Sequence, residues 1–143
     1  MPRNSKTGEK RMRRRLKKAG LCDVILVFLG VNKPLRHRGN AMEPTISSNE
    51  GLFYRPVKSE SLRVGDIVVI GITEEDRLQD FLQEKNEGYP CDYLTYRISS
   101  IFANKIEVRG DNENESIDSR HFGPIYINKV LGKVIGYTPL RER

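Results

Sequence analysis

Residues that build metal and redox sites are scarce in this 143-residue chain. It has two cysteines, Cys22 and Cys91, and two histidines, His37 and His121. A disulfide framework needs more thiols, and a zinc site needs further Cys or His at ligand spacing. No metal and no cofactor are therefore expected, and a reducing compartment is the default. Long hydrophobic runs are missing too. The most apolar stretch, LCDVILVFLGV at 21–31, contains Asp23 and falls well short of the roughly 20 residues a spanning helix needs. It is expected to be a buried helix or strand, or an interfacial segment, and no transmembrane span is predicted. Residues 1–35 are too short and too irregular for a helix-turn-helix domain, which argues against a DNA-binding repressor.

Acidic residues are almost absent from one end. Residues 1–20 carry nine cations, Arg3, Lys6, Lys10, Arg11, Arg13, Arg14, Arg15, Lys17 and Lys18, against Glu9. The remaining 123 residues hold 16 Lys/Arg and 18 Asp/Glu, a sum of −2. The overall +6 charge is thus a property of the basic arm. Such a block on a near-neutral body suits contact with nucleic-acid phosphate or anionic lipid. An Arg-rich targeting segment and a solvated tail are the competing readings.

The length predicts one domain with a modest core. EKRMRRRLKKA at 9–19 has helix formers throughout, with Met12, Leu16 and Ala19 at helical spacing, and Gly20 permits a break. Asn32-Lys33-Pro34 reads as punctuation. Short strands follow at LRHR (35–38), GLFYR (51–55) and DIVVIGI (66–72). ITEEDRLQDFLQEKNEG (72–88) interrupts them. Thr73 as N-cap, acids in the first turn and a stripe of Leu78, Phe81 and Leu82 predict an inserted surface helix. YLTYRISSIF (93–102), KIEVRG (105–110) and VLGKVIGYTP (130–139) are further strands, the first two joined by a turn at Ala103-Asn104. The expected division is a basic arm at 1–20, an apolar connector at 21–34 and a β domain at 35–143.

Four motifs recur in order across residues 36–137. They are GNAMEPT (39–45), VGDIVVI (64–70), YLTYRI (93–98) and RGDNENESIDSRHFGPI (109–125), closed by LGKVIG. Together they resemble the bacterial type I signal peptidases, and more closely their mitochondrial inner-membrane protease relatives. The resemblance implies a mainly β fold, with coiled antiparallel sheets forming a small barrel-like domain around a groove for an extended peptide. It also implies a Ser–Lys dyad. A serine hydroxyl needs a base, and a lysine whose ammonium is disfavoured by burial can serve as one.

Both working groups are replaced. Ala41 stands where the resemblance expects the serine, and a methyl cannot attack a carbonyl. Tyr96 stands where it expects the lysine, before Arg97. A phenol with a reference pKa near 10, raised further by burial, is a poor base at neutral pH. Ser47 and Ser48 lie past Pro44, outside the turn that holds residue 41. His37 is expected to share a strand face with Gly39, and Lys58 and Lys105 to be solvated near strand ends. The frame residues Gly39, Met42, Pro44, Arg97, Asp111, Asp118 and Arg120 are expected to have structural roles. Met42 should anchor the turn in the core. Asp111 and Asn112 should bond backbone amides within a turn, and Asp118 and Arg120 should pair.

These readings predict a catalytically silent signal-peptidase-like protein, used as a structural or assembly subunit of a larger complex. The resemblance favours a mitochondrial home. The arm suits RNA, as in a ribosomal subunit, with peripheral membrane contact as a further option. The alternatives are a serine peptidase that removes targeting peptides, here carrying an inactivating change, and a non-catalytic partner of an active homologous peptidase. An inactivating change accounts for Ala41 but not for Tyr96.

Overall fold

The computed structural model describes residues 16–73 and 93–138. Helix α1 (Leu21–Phe28) precedes strands β1 (Lys33–Arg36), β2 (Gly51–Arg55), β3 (Ile67–Gly71), β4 (Tyr93–Phe102) and β5 (Lys105–Arg109). A one-turn helix α2 (Ser119–Phe122), β6 (Ile125–Tyr126) and β7 (Val130–Thr138) complete the order. The described strands form one seven-stranded sheet in the order β1-β2-β7-β3-β4-β5-β6, with every neighbouring pair antiparallel. The fold is therefore mainly β, a curled antiparallel sheet of the kind the motifs imply.

Central β3 explains how so small a sheet holds a core. Its run IVVI is buried at every position, as expected of a strand covered on both faces. Side chains alternate across a strand, so Ile67 and Val69 join one cluster while Val68 and Ile70 join another. The first cluster contains Leu16, Met42, Ile46, Leu52 and Val134. The second contains Leu62, Tyr96, Ile98, Ile106, Val108 and Ile125. Register shifts at Phe53/Tyr54, Val69/Ile70 and Ile98/Ser100 mark bulges, which bend strands and sharpen twist. One bend is fixed by close contact: a Cβ on Gly132 would lie 2.6 Å from the Arg55 carbonyl oxygen.

Strands β2 and β4 fill the predicted segments residue for residue, and β4 turns into β5 through Ala103 at φ 53°. Two expectations need correction. The helix over 9–19 does not extend through its described residues. Ala19 N–H donates to the Tyr137 carbonyl at 2.9 Å and Tyr137 N–H to the Lys17 carbonyl at 3.1 Å, making a parallel bridge at Lys18. Leu16 is buried in the core. Two main-chain bonds and one buried leucine outweigh the propensity of a short helix that is marginal alone, so the root of the arm is part of the domain. Lys33 and Pro34, expected to be punctuation, lie in β1. That strand is an edge of the sheet, where proline is tolerated. The inserted helix at 72–88 falls, from residue 74 onward, outside the described residues, as do Arg3 to Arg15 of the arm.

Candidate active-site region

The loop from Gly39 to Asn49 hangs between β1 and β2. Its ends are clipped by main-chain bonds, from His37 N–H to the Glu50 carbonyl at 2.9 Å and from Asn49 N–H to the His37 carbonyl at 2.7 Å. Gly39 adopts φ +87°, a conformation that favours glycine. Its N–H donates to Ser48 Oγ at 3.2 Å. Ile46 N–H closes on the Met42 carbonyl at 3.0 Å, and both Met42 and Ile46 are fully buried. The peptide bond between Glu43 and Pro44 is cis. Together these features put Ala41 on a tight turn whose neighbours are held in the core.

A second segment, 109–118, packs against this turn. Asn112 N–H donates to the Ala41 carbonyl at 2.9 Å, and Asn112 Nδ2 to the Asn40 carbonyl at 3.0 Å. Asp111 accepts two bonds from Arg97, Nε to Oδ1 and Nη2 to Oδ2, each at 2.9 Å. Thr45 Oγ1 donates to Asp111 Oδ2 at 2.5 Å, and Arg97 Nη1 continues to the Gly65 carbonyl at 2.7 Å. The expectation that Asp111 bonds backbone amides in its own turn is thus corrected. Its carboxylate is claimed by a guanidinium from β4 and a hydroxyl from the 39–49 loop, because bidentate charge-assisted bonds outcompete a local turn.

Asp118 is the buried anchor of the segment. Its oxygens accept from Gly110 N–H at 3.1 Å, Arg120 N–H at 3.1 Å and the Arg120 guanidinium at 2.9 and 3.0 Å. Arg120 Nη2 also bonds the Glu113 carbonyl at 2.8 Å. As N-cap of α2, Asp118 completes a capping box with His121, whose Nδ1 accepts from Asp118 N–H at 3.2 Å. Burial alone would raise the Asp118 pKa. The bonds from Arg120, Gly110 and the Arg120 amide, with nearby Ser116, outweigh it and hold the carboxyl below its ordinary 3.8. Ser116 Oγ is buried and makes no bond within hydrogen-bonding geometry, although its proximity helps keep Asp118 ionised.

Ala41 and Tyr96 converge on this segment. A Cβ placed on Gly110 would lie 2.5 Å from the Ala41 carbonyl oxygen and against the Ser116 side chain. Tyr96 approaches from the other core cluster and donates its hydroxyl proton to the Ile117 carbonyl, next to Ser116. Its ring centroid is 6.3 Å from that of Phe122. The sequence offered no reason to single out Ser116 or the buried pair beneath the loop, His37 and Glu50. Burial lowers the His37 pKa below 6.5, partly opposed by Glu50 and the Gly39 backbone. The main-chain N–H of Ser47 donates to Glu50 Oε1 at 2.9 Å, while Ser48 ties the loop through its hydroxyl oxygen. Lys58 is exposed, and Lys105 Nζ stands 5.0 Å from the Tyr126 ring centroid. Of the arm cations, Lys17 and Lys18 are described and exposed.

A curled antiparallel sheet with a Gly-x-Ala-Met-x-Pro-Thr turn braced on a Gly-Asp-Asn segment has the frame of a signal-peptidase-type domain. The family model for signal peptidase, peptidase S26, matches residues 73–137. That span holds Tyr96, Arg97, Asp111, Asp118 and Arg120, and leaves the 39–49 loop outside. Thylakoidal processing peptidase 1, chloroplastic, from Arabidopsis thaliana is 33% identical over 100 residues, covering 65% of this chain. Over these residues the chain is similar to the signal peptidases of that family. The chain spans 26% of the length of that plant protein.

Proposed function

We propose that this protein is a catalytically silent signal-peptidase-like domain that works as a structural subunit of a larger assembly. The observation that carries the reading is the pair of side chains where the dyad would stand. Ala41 offers a methyl, and Tyr96 has its hydroxyl proton committed to the Ile117 carbonyl. A nucleophile and a base are both needed to open an amide bond this way. A site retaining neither keeps the ability to hold an extended segment through main-chain bonds. Ala41→Ser alone is expected to leave hydrolysis of a signal-peptide substrate at the uncatalysed rate, because Tyr96 cannot take the serine proton. Turnover by that single variant would refute the reading.

The assembly we favour is mitochondrial and contains RNA, with a ribosomal subunit as the first candidate and the nine cations of 1–20 as the RNA contact. Their charge density supports this, since phosphate neutralisation gives binding that weakens steeply with salt. Purified natively from its source cell, the chain is expected to sediment with a ribonucleoprotein. Replacing Arg13, Arg14 and Arg15 by alanine should release it. The second reading, favoured by the relationship to processing peptidases, is a silent partner of an active homologous peptidase. It predicts that one such peptidase, and no RNA, stays bound in both forms.

A further inference from the structure

The tip of the β4–β5 hairpin and the strand beside it carry an arrangement far from the 39–49 loop. Three residues stand in register across adjacent strands, Phe102 opposite Lys105 and Lys105 opposite Tyr126. Residues directly opposite one another share a face of the sheet, so the three form a row across β4, β5 and β6. The next pair in register, Ile106 and Ile125, points the other way and is buried in the core. Phe102 and Tyr126 instead keep 45% and 51% of their surface in water.

The row is held in place. β4 enters β5 through Ala103 at φ 53°, and the Asn104 carbonyl accepts from Ile127 N–H at 2.8 Å, tying the tip to the segment after β6. Lys105 Nζ lies 5.0 Å from the Tyr126 ring centroid, close enough for the cation to steady the ring. Neighbouring strands lie about 4.8 Å apart, which sets the two aromatic residues about 10 Å apart with a lysine between them.

The charge around the row has one sign. Residues 98–106 and 121–132, which build this end of the sheet, contain Lys105 and Lys129 and no Asp or Glu. Asn104 and Asn128 are exposed beside them. Glu107, two residues along β5 on the same face, accepts from Ser100 Oγ at 3.0 Å, and Arg109 follows it, exposed. Exposed rings at a fixed spacing, with cations between and beside them, complement a single-stranded nucleic acid, which presents unpaired base faces on a chain of phosphates. A duplex has no such faces to give, because its bases are stacked on one another.

We infer that this end of the sheet is a platform for single-stranded RNA, with one base stacked on Phe102, another on Tyr126 and the phosphate between them at Lys105. The inference rests on the RNA reading proposed above and deepens it. The arm binds by charge, and the body adds a preference for unpaired strands.

The test is fluorescence anisotropy of the full chain with a labelled oligouridylate and with an RNA duplex of equal length, over a range of salt. Phe102→Ala/Tyr126→Ala should weaken single-strand binding roughly tenfold or more, and duplex binding far less. Replacing Arg13, Arg14 and Arg15 by alanine should weaken both and flatten the salt dependence. A loss in the arm variant alone would overturn the platform and leave the RNA reading standing, whereas binding of neither RNA would overturn both. An equal loss on strand and duplex in the aromatic variant would exclude stacking. A second readout keeps the aromatic face intact. The chain contains no tryptophan, so Phe102→Trp introduces a single reporter, whose emission should be quenched as a base of the oligouridylate stacks on the indole. Emission unmoved while anisotropy reports binding would overturn the inference. Emission that answers only to protein concentration would make the row a contact between copies of the chain, and the RNA assignment would fail.

Discussion

Replacing Asp118 by alanine is expected to destabilise the protein by about 3 kcal/mol. The capping role in α2 accounts for about 1 kcal/mol. The rest comes from the Gly110 N–H, which is left buried without its acceptor at a cost of about 2 kcal/mol. The Arg120 side chain is roughly a third exposed. It can return to water, so its ion pair adds little to the loss. Urea unfolding at neutral pH would measure the change as a shift in midpoint with an unaltered slope. The pH dependence supplies a signature of the same carboxylate. Its folded pKa lies below the ordinary value, so its contribution is present above that value and fades as the pH falls through the folded one. Asp118→Asn should abolish that acid-side component while keeping the volume. A midpoint shift under about 1 kcal/mol for Asp118→Ala would mean that Gly110 and α2 find other acceptors.

Gly110→Ala is expected to have a comparable effect by a different route. The added Cβ would stand 2.5 Å from the Ala41 carbonyl oxygen and would press on Ser116. Gly110 does not adopt a positive φ, so the cost is steric. The carbonyl belongs to a turn pinned by Met42 and Ile46, and cannot retreat without pulling them from the core. Overpacking of this kind costs about 1–3 kcal/mol, and parting Ala41 from the Asn112 N–H brings the total to about 3 kcal/mol. Amide hydrogen exchange should show Asn112 losing protection well before β3 does. Adding Ser116→Gly should recover part of the loss and leave the share due to the Ala41 carbonyl, a coupling that a double-mutant cycle would resolve. Unchanged exchange at Asn112 in Gly110→Ala would contradict the geometry.

The strands were legible because their chemistry is local. Alternation in β4, the β-branched run of β3 and a turn at Ala103-Asn104 each act over a few residues. Contacts between distant residues were not legible. Asp111 sits in a turn-forming sequence, yet its partners are Arg97, 14 residues away, and Thr45, 66 away. No local pattern distinguishes such a carboxylate from one that bonds its own loop. Leu16 shares helical spacing with Met12 and Ala19, but its place in the core depends on an opening beside Tyr137, where β7 runs on past the first residue of β3. Gly136 enforces that closeness, since a Cβ there would lie 2.9 Å from the Lys17 carbonyl oxygen. Pro34 misled for a simpler reason: proline punctuates most strands, but an edge strand has a side with no partner to bond.

The turn around Ala41 is held by its carbonyl, by the carbonyl of Asn40 and by the burial of Met42 and Ile46. None of these depends on the side chain at position 41. A lineage carrying this turn could exchange a hydroxyl for a methyl there without disturbing a fold whose tolerance for lost stability is only a few kcal/mol. On the function proposed above, chemistry at such a position is erased more cheaply than the scaffold that presented it, and the scaffold outlives its reaction.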